Sequence, residues 1–122
     1  MTRIIAIALA TLVALMHIWF LVLEMFLWET DIGRGTFNTT IEEAATTATL
    51  AMQQGLYNGF LAAGILYGLI ARKTDFIVFS LLCIIVAGVF GGLTVSPSII
   101  MVQALPAIIA LGLIWISRPK TP

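Results

Sequence analysis

The chain is predicted to be an all-α membrane protein, a bundle of four transmembrane helices with both termini in the cytoplasm. Three observations predict it. Of 122 residues, 61% are hydrophobic and only 10% charged, with a mean hydropathy of +1.10, well outside the usage of soluble domains. The apolar residues gather into four runs, about 4–28, 45–71, 76–93 and 99–117, each near the ~20 residues a spanning helix needs. The few charges are sorted. Arg3, Arg72, Lys73, Arg118 and Lys120 fall in segments that four spans would bring to one side, whereas the first loop of the other side holds Arg34 against Glu29, Asp31, Glu42 and Glu43. The positive-inside rule places the basic side, and with it both ends, in the cytoplasm of a multi-pass protein of the cell's inner (plasma) membrane.

The first run, 4–28, begins after Arg3 as a signal peptide would, but continues through Trp28 without a small-residue cleavage site, so it reads as an uncleaved span. The loop after it is rich in Gly, Thr and Asn, and two pairs, Thr39 with Glu42 and Thr40 with Glu43, match a capping box that would start the second helix. In that helix, Gly55, Gly59 and Ala63 form one small-residue stripe and Gly64 with Gly68 another; Gly88 and Gly92 repeat the pattern in the third span. Such positions let helix backbones approach closely. "SPS" at Ser96 to Ser98 offers Ser96 as an N-cap with Pro97 at the first helical position, so the third and fourth spans are expected to form an antiparallel hairpin. Pro106 lies inside the fourth span and removes a backbone donor, which predicts a kink. The loops are too short to hide a soluble domain or a nucleotide-binding fold, and the whole of 1–122 reads as a single domain.

Polar residues inside hydrocarbon are the functional signal. His17, Leu21, Glu24 and Trp28 fall on one stripe of the first span, His17 and Glu24 about two turns and ~10 Å apart. In the second span, Gln54 with Asn58 and Gln53 with Tyr57 form neighbouring stripes. Counting inward from the basic ends at ~1.5 Å per residue brings His17, Asn58 and Gln103 to one depth, with Glu24 and Gln54 further outward. A buried carboxylate faces the interior, a cavity or a partner. Glu24 is therefore expected to point into an outward-opening pocket between spans one, two and four, satisfied by His17, Gln54, Asn58 and Gln103, with Trp28 and Tyr57 in an apolar wall.

Other chemistries find little purchase. One His, one deep Glu and Cys83, the lone cysteine, make a poor transition-metal site, and no disulfide or CxxC motif can form. No nucleophile elbow, phosphate loop or strand is evident. Neither a metal nor a cofactor is expected, and no nucleic-acid partner.

The stretches "MHIWFLVLEMFLWET", "QQGLYNGFLAAG", "VAGVFGGLT" and "VQALPA" resemble the small bacterial membrane family catalogued as domain of unknown function 1304, and the resemblance spans nearly the whole chain. It implies four transmembrane helices and no settled activity. On the family pattern, His17, Glu24, Trp28 and Glu29 match the first motif, and Gln54, Gly55, Tyr57, Asn58 and Gly59 the second. The chain has Thr30 to Arg34 where the resemblance leads one to expect a Pro, so its outer loop departs from the pattern.

These readings support a protein that binds or transports a small solute or protons in the bilayer, with Glu24 and His17 as the titratable pair and Gln54 and Asn58 orienting the ligand. A transporter of this size is expected to form homo-oligomers. Two alternatives stand beside it: a membrane-embedded enzyme acting on a lipophilic substrate with Glu24 as general acid or base, and an accessory or structural subunit whose polar network only fixes helix register.

Overall fold

The computed structural model describes residues 1–120. Its helices are α1 (Thr2–Met25), the short α2 (Asp31–Phe37), α3 (Ile41–Ile70), α4 (Thr74–Thr94), a π-helical turn (Ile100–Ala104) and α5 (Leu105–Ser117). No strand occurs among the described residues. The four apolar runs thus become the four long helical stretches, and α2 is an addition inside what reads as a loop. Three of the stretches are long and apolar enough to cross a membrane: Thr2–Met25, Thr74–Thr94 and Ile100–Ser117. The fourth, α3, is longer at 30 residues, but Gln53, Gln54 and Asn58 dilute its apolar character.

The chain packs as two units, one formed by Met1–Ala14 with Leu61–Pro122 and the other by Leu15–Phe60. In the first, each helix contributes a stripe of helical spacing to one core: Ala6, Ala10 and Val13; Ala62 and Ile65; Ile77, Leu81 and Ile84; Ala107, Ala110 and Ile114. The stripes are narrow. Only 28%, 33% and 22% of the most apolar windows of the three membrane-competent helices are buried, and Ile4, Phe79, Val86, Phe90 and Ile116 stand more than half exposed. Apolar side chains facing outward on this scale suit a lipid surrounding.

The hairpin expected of the last two spans is present. Gly92 lies against Ile100 and, one turn back along α4, Gly88 against Ala104, a pairing in which one number falls as the other rises, as antiparallel packing requires. Within the hairpin, Gly88 makes a tight backbone approach: a Cβ there would lie 2.8 Å from the Ala104 nitrogen, closer than real Cβ contacts come. The start of the fourth stretch departs from expectation. Ser96 does not cap a helix; its hydroxyl pairs with that of Ser98 at 2.9 Å, and backbone bonds from Ile99 N to Ser96 O and Ile100 N to Pro97 O carry the turn. The residues before Pro106 widen into the π-turn, where Leu105 N–H reaches Ile100 O, five residues back, which relieves the crowding a proline ring causes against the preceding turn of an α-helix.

The second unit holds the last part of α1, α2 and the first part of α3. The first helix ends at Met25 and not at 28: Leu27 N–H bonds to Val22 O, and the Thr30 hydroxyl folds back on Leu27 O at 2.6 Å. Thr30 then caps α2 by accepting from Gly33 N, and Asn38 closes α2 in the left-handed region at φ 55°, a conformation that asparagine tolerates better than most residues. Of the two capping pairs, Thr40 is the one that caps α3, accepting from Glu43 N at 3.0 Å.

Candidate functional site

The site lies in the second unit and begins with a glycine. Gly55 on α3 faces α1 so closely that a Cβ would meet Met25 Cγ at 2.6 Å and Glu24 Cβ at 3.1 Å. Without a side chain there, α3 seats against α1, and Asn58, one turn further on, comes within reach of the Glu24 carboxylate. Asn58 Nδ2 donates to Glu24 Oε1 at 2.5 Å. Both are buried, Glu24 at 7% and Asn58 at 5% exposed. Hydrogen bonds to charged groups in a poorly solvated setting are the strong ones, so this bond fixes both side chains. Gly59 continues the stripe, lying against Leu21.

His17 is also buried, at 1% exposed, and its ring meets that of Phe20 edge to face with centroids 5.1 Å apart. Trp28 lies three residues beyond the end of α1, so it is not on the helical stripe of His17 and Glu24. It is held instead by α3: the indole N–H is shared between Ala44 O and Thr47 Oγ1, both at 3.1 Å, and the ring stacks at a tilt on Phe37, 4.8 Å between centroids. Thr47 in turn donates to Glu43 O at 2.6 Å.

Beside these residues runs a groove of about 460 Å³, lined by Glu24, Trp28, Gln54, Leu50 and Ala51, with Thr39, Glu43, Thr46 and Thr47. Its lining comes wholly from the second unit. Three of the residues singled out from the sequence, Glu24, Trp28 and Gln54, meet here, and Asn58 stands behind Glu24. Tyr57 is 60% exposed, ring-paired with Phe60, and does not line the groove. Gln103 belongs to the first unit, on the π-helical turn, and is not among the lining residues either. The residues that sequence reasoning missed are Thr39, Glu43, Thr46 and Thr47. A signal for two of them was present: Glu43 and Thr47 recur with Leu50 and Gln54 at helical spacing of three or four along one face of α3.

The lining mixes two carboxylates, three threonine hydroxyls, one amide and an indole, and it includes no basic side chain. Such a surface offers acceptors and an aromatic face to a small polar or cationic molecule. Among the described residues, no three side chains of His, Cys, Asp or Glu gather as a metal would require.

The model of the family described as "Protein of unknown function (DUF1304)" matches residues 11–115. The "Uncharacterized protein YpaA" of Lactococcus lactis subsp. lactis (strain IL1403) is similar, 32% identical over 112 residues that cover 88% of this chain and 94% of that protein. No solved structure matches.

Proposed function

The chain belongs to the family described as Protein of unknown function (DUF1304), and for this member we propose a role as a multi-pass protein of the inner (plasma) membrane that binds, and as a homo-oligomer transports, a small polar solute through the Glu24 groove. The observation that carries this reading is the state of Glu24: a carboxylate buried on an otherwise apolar helix, braced by Asn58 and contributing to the wall of a groove. A bundle that needed only a register lock would have no use for a groove beside the lock.

In this reading all four helical stretches span the bilayer. Of the polar residues of α3 that lower its hydropathy, Gln54 lines the groove and Asn58 is buried on Glu24 of α1, a pairing that offsets part of the cost of placing it at membrane depth. By the positive-inside rule, this reading sets Arg3, Arg72, Lys73, Arg118 and Lys120 on the cytoplasmic side with both termini, so that the groove would open outward. Glu24 binds the solute's donors, Gln54 and the threonines orient it, Trp28 and Leu50 give the groove its apolar wall, and His17 is the second titratable group of α1 when protons are coupled to transport.

The test is a thermal-shift screen of small polar solutes on the purified chain, repeated on Glu24→Gln. Solutes that stabilise the natural protein and not the variant, at unchanged basal stability, support the reading. Equal stabilisation of both proteins removes Glu24 from the site and leaves the polar contacts as helix glue.

A further inference from the structure

A second cavity, of about 560 Å³, lies in the first unit, where α3 gives way to α4 and α5 ends. Its chemistry is unlike that of the Glu24 groove. Two arginines, Arg72 and Arg118, stand at it together with a single acid, Asp75, and the remaining wall is chiefly Val78, Phe79, Leu82 and Trp115. Lys73 and Lys120 adjoin the two arginines in the sequence, so the neighbourhood is basic on balance.

Both arginines are set in place by local structure. Helix α3 stops with Ala71 N–H bonding to Tyr67 O and Lys73 N–H to Gly68 O, each at 2.8 Å. The second bond spans six residues, and a helix stop of this kind favours glycine at the left-handed position inside it. Arg72 occupies that position, with φ at 57°, a conformation that crowds any residue with a Cβ. The chain thus keeps a long cationic side chain where the backbone would be better served by none. Arg118 is held from the other side: its guanidinium carbon sits 3.7 Å from the centre of the Trp115 ring, and Nη1 donates to Trp115 O at 2.7 Å. A guanidinium carries five N–H donors, so one backbone bond leaves it able to share an anion.

The apolar wall decides which anion. Val78 and Leu82 lie one turn apart on α4 with Phe79 beside them, and the strip leads away from the arginines along a helix apolar enough to span a membrane. A free oxyanion would use the arginines and leave the strip unused. A phospholipid uses both.

We propose that this cavity binds an anionic phospholipid, its phosphate held between Arg72 and Arg118 and an acyl chain laid along Val78, Phe79 and Leu82. The site is separate from the Glu24 groove and stands whether or not that groove binds a solute. By the charge rule it faces the cytoplasmic leaflet, where anionic headgroups and basic side chains attract one another.

The experiment titrates the full-length protein, purified in an uncharged detergent, with phosphatidylglycerol, phosphatidylcholine or inorganic phosphate, and follows thermal unfolding with native mass spectrometry as a count of bound lipid. Phosphatidylglycerol should raise the unfolding temperature saturably and appear as a retained adduct, while the other two do neither. Arg72→Gly should fold at least as well as the natural chain, because glycine suits the left-handed turn, yet bind phosphatidylglycerol about fivefold more weakly; Arg118→Gln should lose a similar factor, and the double variant the adduct itself. Arg34→Gln, a charge change in the second unit, should titrate as the natural protein. The proposal fails if phosphatidylcholine or inorganic phosphate matches phosphatidylglycerol, if both cavity variants bind as the natural chain does, or if Arg34→Gln weakens binding as much as they do.

Discussion

Asn58 reaches across from α3 to donate its amide to Glu24 on α1, joining residues 34 positions apart by a buried bond of 2.5 Å. The missing side chain at Gly55 permits this contact, and the groove opens beside it. Its removal from either end should therefore be felt, but not equally.

Replacing Asn58 with Leu leaves the Glu24 carboxylate buried without its donor, and the expected cost is about 1 to 3 kcal/mol of stability. Thermal or denaturant unfolding in detergent reads it. An unfolding temperature equal to that of the natural protein would mean that water already satisfies Glu24 through the groove.

Glu24→Gln and Glu24→Leu should separate chemistry from architecture. The glutamine keeps an oxygen that can accept from Asn58 Nδ2 and should fold with stability near that of the natural chain, whereas the leucine strands the amide at a cost of about 1 to 3 kcal/mol. Solute binding should vanish in both. A glutamine variant that still transports or binds would contradict the role given to the carboxylate.

Trp28→Phe preserves the ring but deletes the N–H shared by Ala44 O and Thr47 Oγ1. A loss of about 0.5 to 1.5 kcal/mol is expected, the usual net worth of such a bond. Faster amide exchange at the start of α3 is its local signature. Unchanged exchange there would show that the stack on Phe37 alone holds the indole.

Gly59→Leu should harm folding far more than Gly35→Leu. A Cβ at Gly59 meets Leu21 at 2.6 Å, while at Gly35 nothing lies within 4 Å. Overpacking of the first kind costs roughly 1 to 3 kcal/mol. Equal yields and equal unfolding temperatures of the two variants would remove Gly59 from the packing of α1 against α3.

Reporter fusions at either terminus test the orientation that the basic residues imply. Cytoplasmic signals from both ends are expected, and an external signal from one of them would exclude four spans.

The helices were legible because each long one is a mostly apolar run bounded by polar residues, a pattern that needs no knowledge of the partners; α3, interrupted by Gln53, Gln54 and Asn58, carries it most weakly. Helix α2 was not, because seven residues with two glycines and a charged pair read as loop until Thr30 and Asn38 are seen capping it. The sequence also marked Glu24 and Asn58 as polar residues in an apolar setting. Which amide reaches the carboxylate depends on how far α3 advances over Gly55, a matter of helix packing that residue spacing along one chain segment does not encode. The place of Trp28 was misjudged for a local reason: the Thr30 hydroxyl and the Leu27 to Val22 bond end α1 early and turn the indole toward Ala44 and Thr47.

The π-helical turn at Ile100–Ala104 has a consequence for how this helix can change length. Each added residue rotates the downstream part of a helix by about 100°, so an insertion in a regular helix turns its buried face outward. A π-turn takes up one surplus residue while the helix on both sides keeps its phase. Shortening the chain by one residue within this stretch should let it relax to ordinary α-geometry, with Ile100 still on Gly92 and Ala104, Ala107 and Ala110 still facing inward. The same one-residue loss at Gly112 would swing Ile114 out of the core.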